Sequence, residues 1–262
     1  MKIVVKLGGE VVGDPRLAGI ARDLAALASE GHRIAVVHGG GPQATDLQKR
    51  LGLTPRIVAG RRVTDEATLD VMKMVLAGKL NVDLCAALRA AGARPLGLHG
   101  AIAARRRPPR VIEGAGPEPI DLGLVGDVVG FDRALLDAAH AGGFMPVLAC
   151  LGSGDDGAVY NINADVASNR LAVALEADLL VLVTSVDGVR RDVSDAATRI
   201  PRLTVAEGRA AIASGAISGG MIPKVTESFA ALGEGVKRIL IVAGDVARAV
   251  REPGSAGTLL EP

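Results

Sequence analysis

Short runs rich in Val, Ile and Leu alternate with longer Ala/Leu-rich amphipathic segments from one end of the chain to the other. A hydrophobic period near two that repeatedly gives way to one near 3.6 is the pattern of successive βαβ units, and few other architectures accommodate it. Strands are predicted over residues 2–7, 33–37, 94–98, 144–149, 179–184 and 238–242. Helices are predicted over residues 15–29, 42–51, 66–91, 133–141, 164–175, 205–214 and 223–232. Aromatics make up 2% of the chain and Trp is absent, so the interior must be built from Ala, Val, Leu and Ile, the composition of parallel strands buried between helices. The expected fold class is α/β: a three-layer αβα sandwich around a mainly parallel, open central sheet.

Residues 101–129 interrupt the rhythm, being rich in Pro, Gly and Arg, and are predicted to form a hairpin and loop excursion over one sheet edge. No fixed-period repeat and no linker composition divides the 262 residues, so a single domain 1–262 is expected, with an N-terminal lobe over 1–160 and a C-terminal lobe over 161–262. Thirty Lys and Arg balance 29 Asp and Glu, leaving nothing that calls for nucleic acid. The opening M-K-I-V-V-K-L-G-G-E is too short and too interrupted for a signal sequence, and no apolar stretch reaches the roughly 18 residues of a membrane span. A cytoplasmic location follows as the expectation. Cys85 and Cys150, with no C-x-x-C motif, are expected to be buried thiols in a reducing compartment.

Two glycine clusters follow the first two strands: Gly8-Gly9 after Lys6-Leu7, and Gly39-Gly40-Gly41 after His38. In an open α/β sheet ligands bind beyond the carboxyl ends of strands, where glycine lets backbone N–H groups approach phosphate or carboxylate oxygens. Pro42 suits the first helical turn, where its missing N–H is no loss. The glycines could instead serve only tight strand-to-helix turns; two clusters after neighbouring strands favour a ligand. Gly39, Gly41 and Ala44 also satisfy G-x-G-x-x-A, yet Gly60-Arg61-Arg62-Val63-Thr64 stands where a dinucleotide site would need an acidic residue for the ribose.

Lys6 interrupts an apolar strand, and Lys224 follows Gly219-Gly220-Met221-Ile222-Pro223 at the start of a helix. A lysine in a helix's first turn opposes the helix dipole unless an anion is bound nearby. Between them lies Tyr160-Asn161-Ile162-Asn163-Ala164-Asp165, read as a strand with Asn161 and Asn163 on one face; helix capping by Asn163 or Asp165 is the competing account. His38 and His99 each follow a strand and, with no second ligand at recognisable spacing, are expected to be hydrogen-bonded structural histidines.

In this order, K-L-G-G, H-G-G-G, G-R-R-V-T, N-I-N-A-D and G-M-I-P-K span nearly the whole chain. Together they resemble the amino acid kinase family, and within it the branch that phosphorylates N-acetyl-L-glutamate. The resemblance implies an amino acid kinase or carbamate kinase-like fold and transfer of phosphoryl from ATP, with Mg2+, to the side-chain carboxylate of N-acetyl-L-glutamate, the second step of arginine biosynthesis. A glutamate-like carboxylate, with a pKa of about 4.3, is already ionised at neutral pH, so such a reaction needs cations and N–H donors more than a base. By the same resemblance Lys6, Lys224 and Asp165 would be catalytic. Gly9, Gly40, Gly41, Arg62, Asn161 and Asn163 would hold the acceptor. The nucleotide would contact Gly8, the loop Thr184, Ser185, Val186, Asp187, Gly188, Val189 and Arg190, and then Ala216, Ile217, Ser218 and Met221. The N-terminal lobe would bind the acceptor and the C-terminal lobe ATP. With the first strand starting near Lys2 and no helix before it, the resemblance implies a homodimer insensitive to arginine.

Two segments depart from the pattern. His99-Gly100-Ala101-Ile102-Ala103 and Asn81-Val82-Asp83 differ from related kinases in the acceptor half. Arg105-Arg106-Arg107-Pro108-Pro109-Arg110 is the one concentrated charge run, read as a solvated loop, or alternatively as a docking patch for an acidic carrier protein bearing aminoadipate or glutamate. A catalytically silent ligand-binding relative and a nicotinamide oxidoreductase complete the alternatives.

Overall fold

The computed structural model describes residues 1–112, 114–192, 194–217 and 221–262. Strand β1 (Lys2–Leu7) runs into the first glycine pair and a single helical turn, α1 (Gly9–Val12). Helix α2 (Leu17–Ser29) buries Ile20, Ala21, Leu24 and Leu27, the spacing of one helical face. Strand β2 (Arg33–His38) passes through the second glycine cluster into α3 (Gly41–Arg50). A hairpin follows, β3 (Ile57–Val58) and β4 (Arg61–Arg62). Its connecting pair, Ala59 and Gly60, has φ of 44° and 76°, the two positive values that match a tight turn to the twist of its strands.

Helix α4 (Glu66–Met72) starts on Asp65, whose carboxylate accepts the Thr68 N–H. It continues through π-helical turns over Lys73–Leu80 into α5 (Asn81–Ala90), so the predicted helix over 66–91 exists with a widened middle. There follow β5 (Pro95–Leu98), β6 (Ile102–Arg106), β7 (Gly126–Phe131), α6 (Arg133–Ala141), β8 (Met145–Ala149), β9 (Leu151–Ser153) and β10 (Val159–Asn161). The C-terminal part comprises α7 (Ala164–Ala174), β11 (Leu179–Val183), β12 (Arg202–Thr204), α8 (Val205–Ala213), α9 (Met221–Gly233), β13 (Ile239–Val242), α10 (Val246–Arg251) and β14 (Thr258–Glu261).

The central sheet has the order β12-β14-β13-β11-β1-β2-β8-β5. From β13 to β5 all neighbours are parallel, and β14 runs antiparallel to β13. Helix α7 packs on β1, β2 and β11, while α2, α5 and α10 form a second helical group. Strands β8, β11 and β13 are buried at every residue, as a sheet covered on both faces requires. The expected αβα sandwich is therefore the observed fold.

The excursion over 101–129 needs correction. Its hairpin is present as β6 and β7, but it does not simply cap the central sheet; it joins β9 and β10 in a separate four-stranded sheet of order β10-β9-β6-β7. Short strands such as Leu151-Gly152-Ser153 carry too little periodicity to announce a second sheet. The C-terminal β14 escaped for the same reason.

Candidate active site

The two glycine clusters meet at the carboxyl ends of β1 and β2. A Cβ on Gly9 would lie 2.9 Å from Gly40 Cα and 3.0 Å from Pro42 Cδ, so bare backbone faces bare backbone. A Cβ on Gly40 would reach Leu80 Cδ1 at 2.4 Å and Leu76 Cδ2 at 2.5 Å, both from the π-helical stretch. Glycine is required here by close approach, since none of these residues has a positive φ. At Gly41 a Cβ would meet nothing within 4 Å, which leaves that backbone open to the cavity. Neither Gly8 nor Gly40, the residues preceding α1 and α3, caps its helix with a side chain. The arrangement suits backbone N–H donation to an anion.

The buried His38 ring holds the second cluster from behind. Its Nδ1 is 3.2 Å from Gly39 O and its Nε2 3.1 Å from Asn81 Nδ2. Burial lowers its pKa, so the neutral ring donates from Nδ1 and accepts from the Asn81 amide, whose Nδ2 also donates to Val147 O at 3.0 Å. This is the structural histidine expected from the sequence, and Asn81 is its partner.

Lys6 Nζ lies 3.1 Å from Asp165 Oδ1, with the lysine side chain only 12% exposed. Asp165 sits in the first turn of α7, where its charge favours the helix dipole. Asn163 is the N-cap: its Oδ1 accepts from Asp165 N–H at 2.9 Å and Val166 N–H at 3.0 Å. The strand ends at Asn161, so Asn161 and Asn163 do not share a strand face, and the capping account is the observed one for Asn163. Asn161 instead reaches Thr64 Oγ1 at 3.1 Å.

Lys224 on α9 joins this group. Burial lowers its pKa, and the nearby Lys6 ammonium lowers it further. Two cations held close together in partly buried surroundings are costly unless an anion lies between them. Glu227, one turn further along α9, is pushed the other way: burial and then the Asp165 carboxylate raise its pKa.

Two cavities meet at these residues. The larger, about 560 Å³, lies against the glycine clusters and carries Lys6, Arg61, Arg62 and Arg107 against Glu10 and Asp165. The smaller, about 310 Å³, shares Lys6, Glu10 and Asp165 with it and adds Thr184, Lys224 and Glu227. Lys6 and Asp165 therefore stand on the wall common to both, with Lys224 facing them. In the larger cavity the Arg62 guanidinium is held by Gln48 Oε1, by Gly41 O at 2.9 Å and by Thr45 Oγ1 at 2.7 Å, with Nε uncommitted among these bonds.

Not every expected residue reaches the cleft. Asp187 lines a separate cavity of about 620 Å³, together with Arg16 and Arg248, and its carboxylate is paired to Arg190 at 2.6 Å. Val189 and Ile217 are fully buried core side chains, so only their backbones could meet a ligand, and the Val189 N–H is taken by Thr258 Oγ1 at 2.8 Å. Ser185 is exposed, and Val186 is bonded through its N–H and carbonyl to the Thr184 hydroxyl, which closes the turn while lining the smaller cavity. Gly188, at φ 127°, has room for no Cβ, which would meet Thr258 Oγ1 at 2.5 Å. Ala216 and Met221 are half-buried. Ser218, Gly219 and Gly220 lie outside the described residues.

In the arginine run five residues are exposed, as a solvated segment would be, and Arg107 is the exception. Arg107 is turned inward, 6% exposed, with Nε 2.7 Å from Asp127 Oδ1, and it lines the larger cavity. Arg106 pairs with Asp121 and Arg110 with Asp127. Glu10, Arg61, Arg107 and Glu227 line the two cavities and were not among the expected site residues; Glu227 carried a local signal, its three-residue spacing from Lys224. Cys150 forms part of the same wall, and burial pushes its thiol up to about 12, which makes it the inert buried thiol expected.

The chain resembles known proteins over nearly its whole length. The amino acid kinase family profile matches residues 1–243. The acetylglutamate kinase of Sorangium cellulosum (strain So ce56) is 65% identical over 268 residues, covering 99% of this chain and 94% of its own length. The acetylglutamate kinase of Anaeromyxobacter dehalogenans (strain 2CP-C) is 60% identical, covering 99% of each chain. Among solved structures, smu.665 from Streptococcus mutans UA159 superposes with a TM-score of 0.79 at 26% identity, covering 99% of this chain and 98% of its own.

Proposed function

The chain belongs to the amino acid kinase family, and from that premise we propose that it transfers the γ-phosphoryl group of ATP to the side-chain carboxylate of N-acetyl-L-glutamate, giving N-acetyl-L-glutamyl 5-phosphate and ADP in arginine biosynthesis. The observation that carries the reading is the convergence of Lys6, Asp165 and Lys224 where two cavities share a wall.

In this reading the ionised carboxylate of the acceptor attacks the γ-phosphorus as the bond to the ADP oxygen breaks. Lys6 and Lys224 neutralise the charge that spreads over the transferring oxygens, Asp165 orients both ammonium groups, and the backbone of Gly9, Gly40 and Gly41 donates to phosphate and acceptor oxygens. The larger cavity, with four cations against two carboxylates, receives the dianionic acceptor: Arg62 faces its α-carboxylate and Asn161 its acylated end. Residues 1–160, with Asn161 at the boundary, then serve the acceptor and the rest of residues 161–262 the nucleotide, with Thr184 and the backbone near Ala216 toward ATP. Among the described residues no three His, Cys, Asp or Glu side chains are grouped to hold a metal. A Mg2+ brought in with the nucleotide would supply charge neutralisation on its phosphates.

Against the carrier-protein alternative, Arg107 of its candidate docking run is turned inward onto Asp127. Among the described residues no helix is long and apolar enough to cross a membrane. A homodimer in the cytoplasm is the assembly we propose. Trapping the acyl phosphate with hydroxylamine decides the activity: hydroxamate is expected with free N-acetyl-L-glutamate and ATP, and its absence, or its formation only with a carrier-bound acceptor, overturns the assignment.

A further inference from the structure

The β3–β4 hairpin carries two arginines with different destinations. Arg62 turns toward α3, onto Gln48, Thr45 and the Gly41 carbonyl. Arg61, its neighbour on the same short strand, places Nη2 3.8 Å from Oε1 of Glu227 on α9. Successive side chains on a strand leave it in opposite directions, so one strand can serve both contacts. Arg61 belongs to the larger cavity and Glu227 to the smaller, and the pair therefore spans from one to the other. Glu227 lies three residues after Lys224 on α9, so the two project from the same side of the helix.

Their side chains are 37% and 55% exposed, and a pair in that setting contributes little to stability. Its position has a different consequence: it ties the strand bearing Arg62 to the helix bearing Lys224. Burial and Asp165 raise the pKa of Glu227, and the guanidinium of Arg61 offsets part of that rise.

We propose that Arg61 and Glu227 are positioning residues, an ion pair across the cleft that sets the spacing between the acceptor's arginine and the nucleotide's lysine. The inference rests on the phosphoryl-transfer reading above. Misplacement of reacting groups by about 1 Å can reduce rate by orders of magnitude, so a weak contact can matter to catalysis without mattering to folding.

The test is a double-mutant cycle of Arg61→Gln and Glu227→Gln. Each single change is expected to lower kcat/KM for N-acetyl-L-glutamate about fivefold, with thermal unfolding unmoved, and the double variant is expected to fall no further. Arg61→Lys, which keeps the charge, is expected to retain most of the wild-type value. Hydrogen–deuterium exchange of residues 57–62 without substrates is expected to rise equally in both single variants and in the double. Multiplying effects of about twenty-five-fold in the double, or unchanged exchange in the hairpin, would overturn the proposal. Should the wild-type protein yield no acyl phosphate from N-acetyl-L-glutamate, the activity reading fails, while the exchange measurement still decides whether the pair tethers the hairpin.

Discussion

The ammonium of Lys224 is half-buried and faces a second ammonium, Lys6, with Asp165 as the main compensating charge. Burial first, and then Lys6, lower its pKa, so in the free protein it loses its proton at lower pH than an ordinary lysine. If the charged form is the active one, kcat/KM for ATP holds below that lowered pKa and falls as pH rises through it. Bound nucleotide phosphates favour the ammonium, so the alkaline limb of kcat is expected at higher pH than that of kcat/KM. A pH profile with the two limbs coincident would show that Lys224 does not face the phosphates. Lys224→Arg, whose guanidinium stays charged, should remove this limb. Truncation is the blunter measurement: Lys6→Ala and Lys224→Ala should each reduce kcat about a hundredfold to a thousandfold with modest change in KM. Steady-state assays returning full turnover in either variant would remove that lysine from the chemistry.

At the scale of elements, helix α7 couples folding to the site through one residue. Asn163 satisfies the first N–H groups of the helix, and the turn it starts presents Asp165 to Lys6. Asn163→Ala is expected to cost about 1 kcal/mol in chemical denaturation and to lower turnover, because the capped turn orients the aspartate. Asn163→Asp, which keeps the cap, should recover the stability. A variant that loses stability with turnover intact would mean that Asp165 holds its place without the cap. The glycine pair works at the same scale: Gly9→Ala sets a methyl 2.9 Å from Gly40 Cα, where backbone cannot yield as a side chain can, and activity should fall with it.

Across the whole molecule, one eight-stranded sheet runs through both halves of the chain, with β1 hydrogen-bonded to β2 on one side and β11 on the other. A single buried cluster joins Ile3, Leu76 and Leu148 to Leu180 and Ile241 without a break. The halves are expected to unfold together. Far-ultraviolet circular dichroism reports the whole chain, and the fluorescence of the single tyrosine, the buried Tyr160, reports the second sheet. The two denaturation curves should coincide, and separated midpoints would show that the four-stranded sheet melts on its own.

The local patterns of the chain determined its parallel strands, most of its helices and the order of its polar segments, because strand and helix periodicity are properties of neighbouring residues. Lys2–Leu7 and Arg133–Ala141 match their predicted bounds for that reason. What lies close in space across the chain had no such signature. The motif order grouped Lys6 with Asp165, but that Arg107 leaves its basic run to pair with Asp127, that Arg61 reaches Glu227, and that Asp187 faces another cavity are outcomes of sheet order and helix packing. Each depends on where the backbone carries two distant side chains, and only the packed tertiary structure decides that.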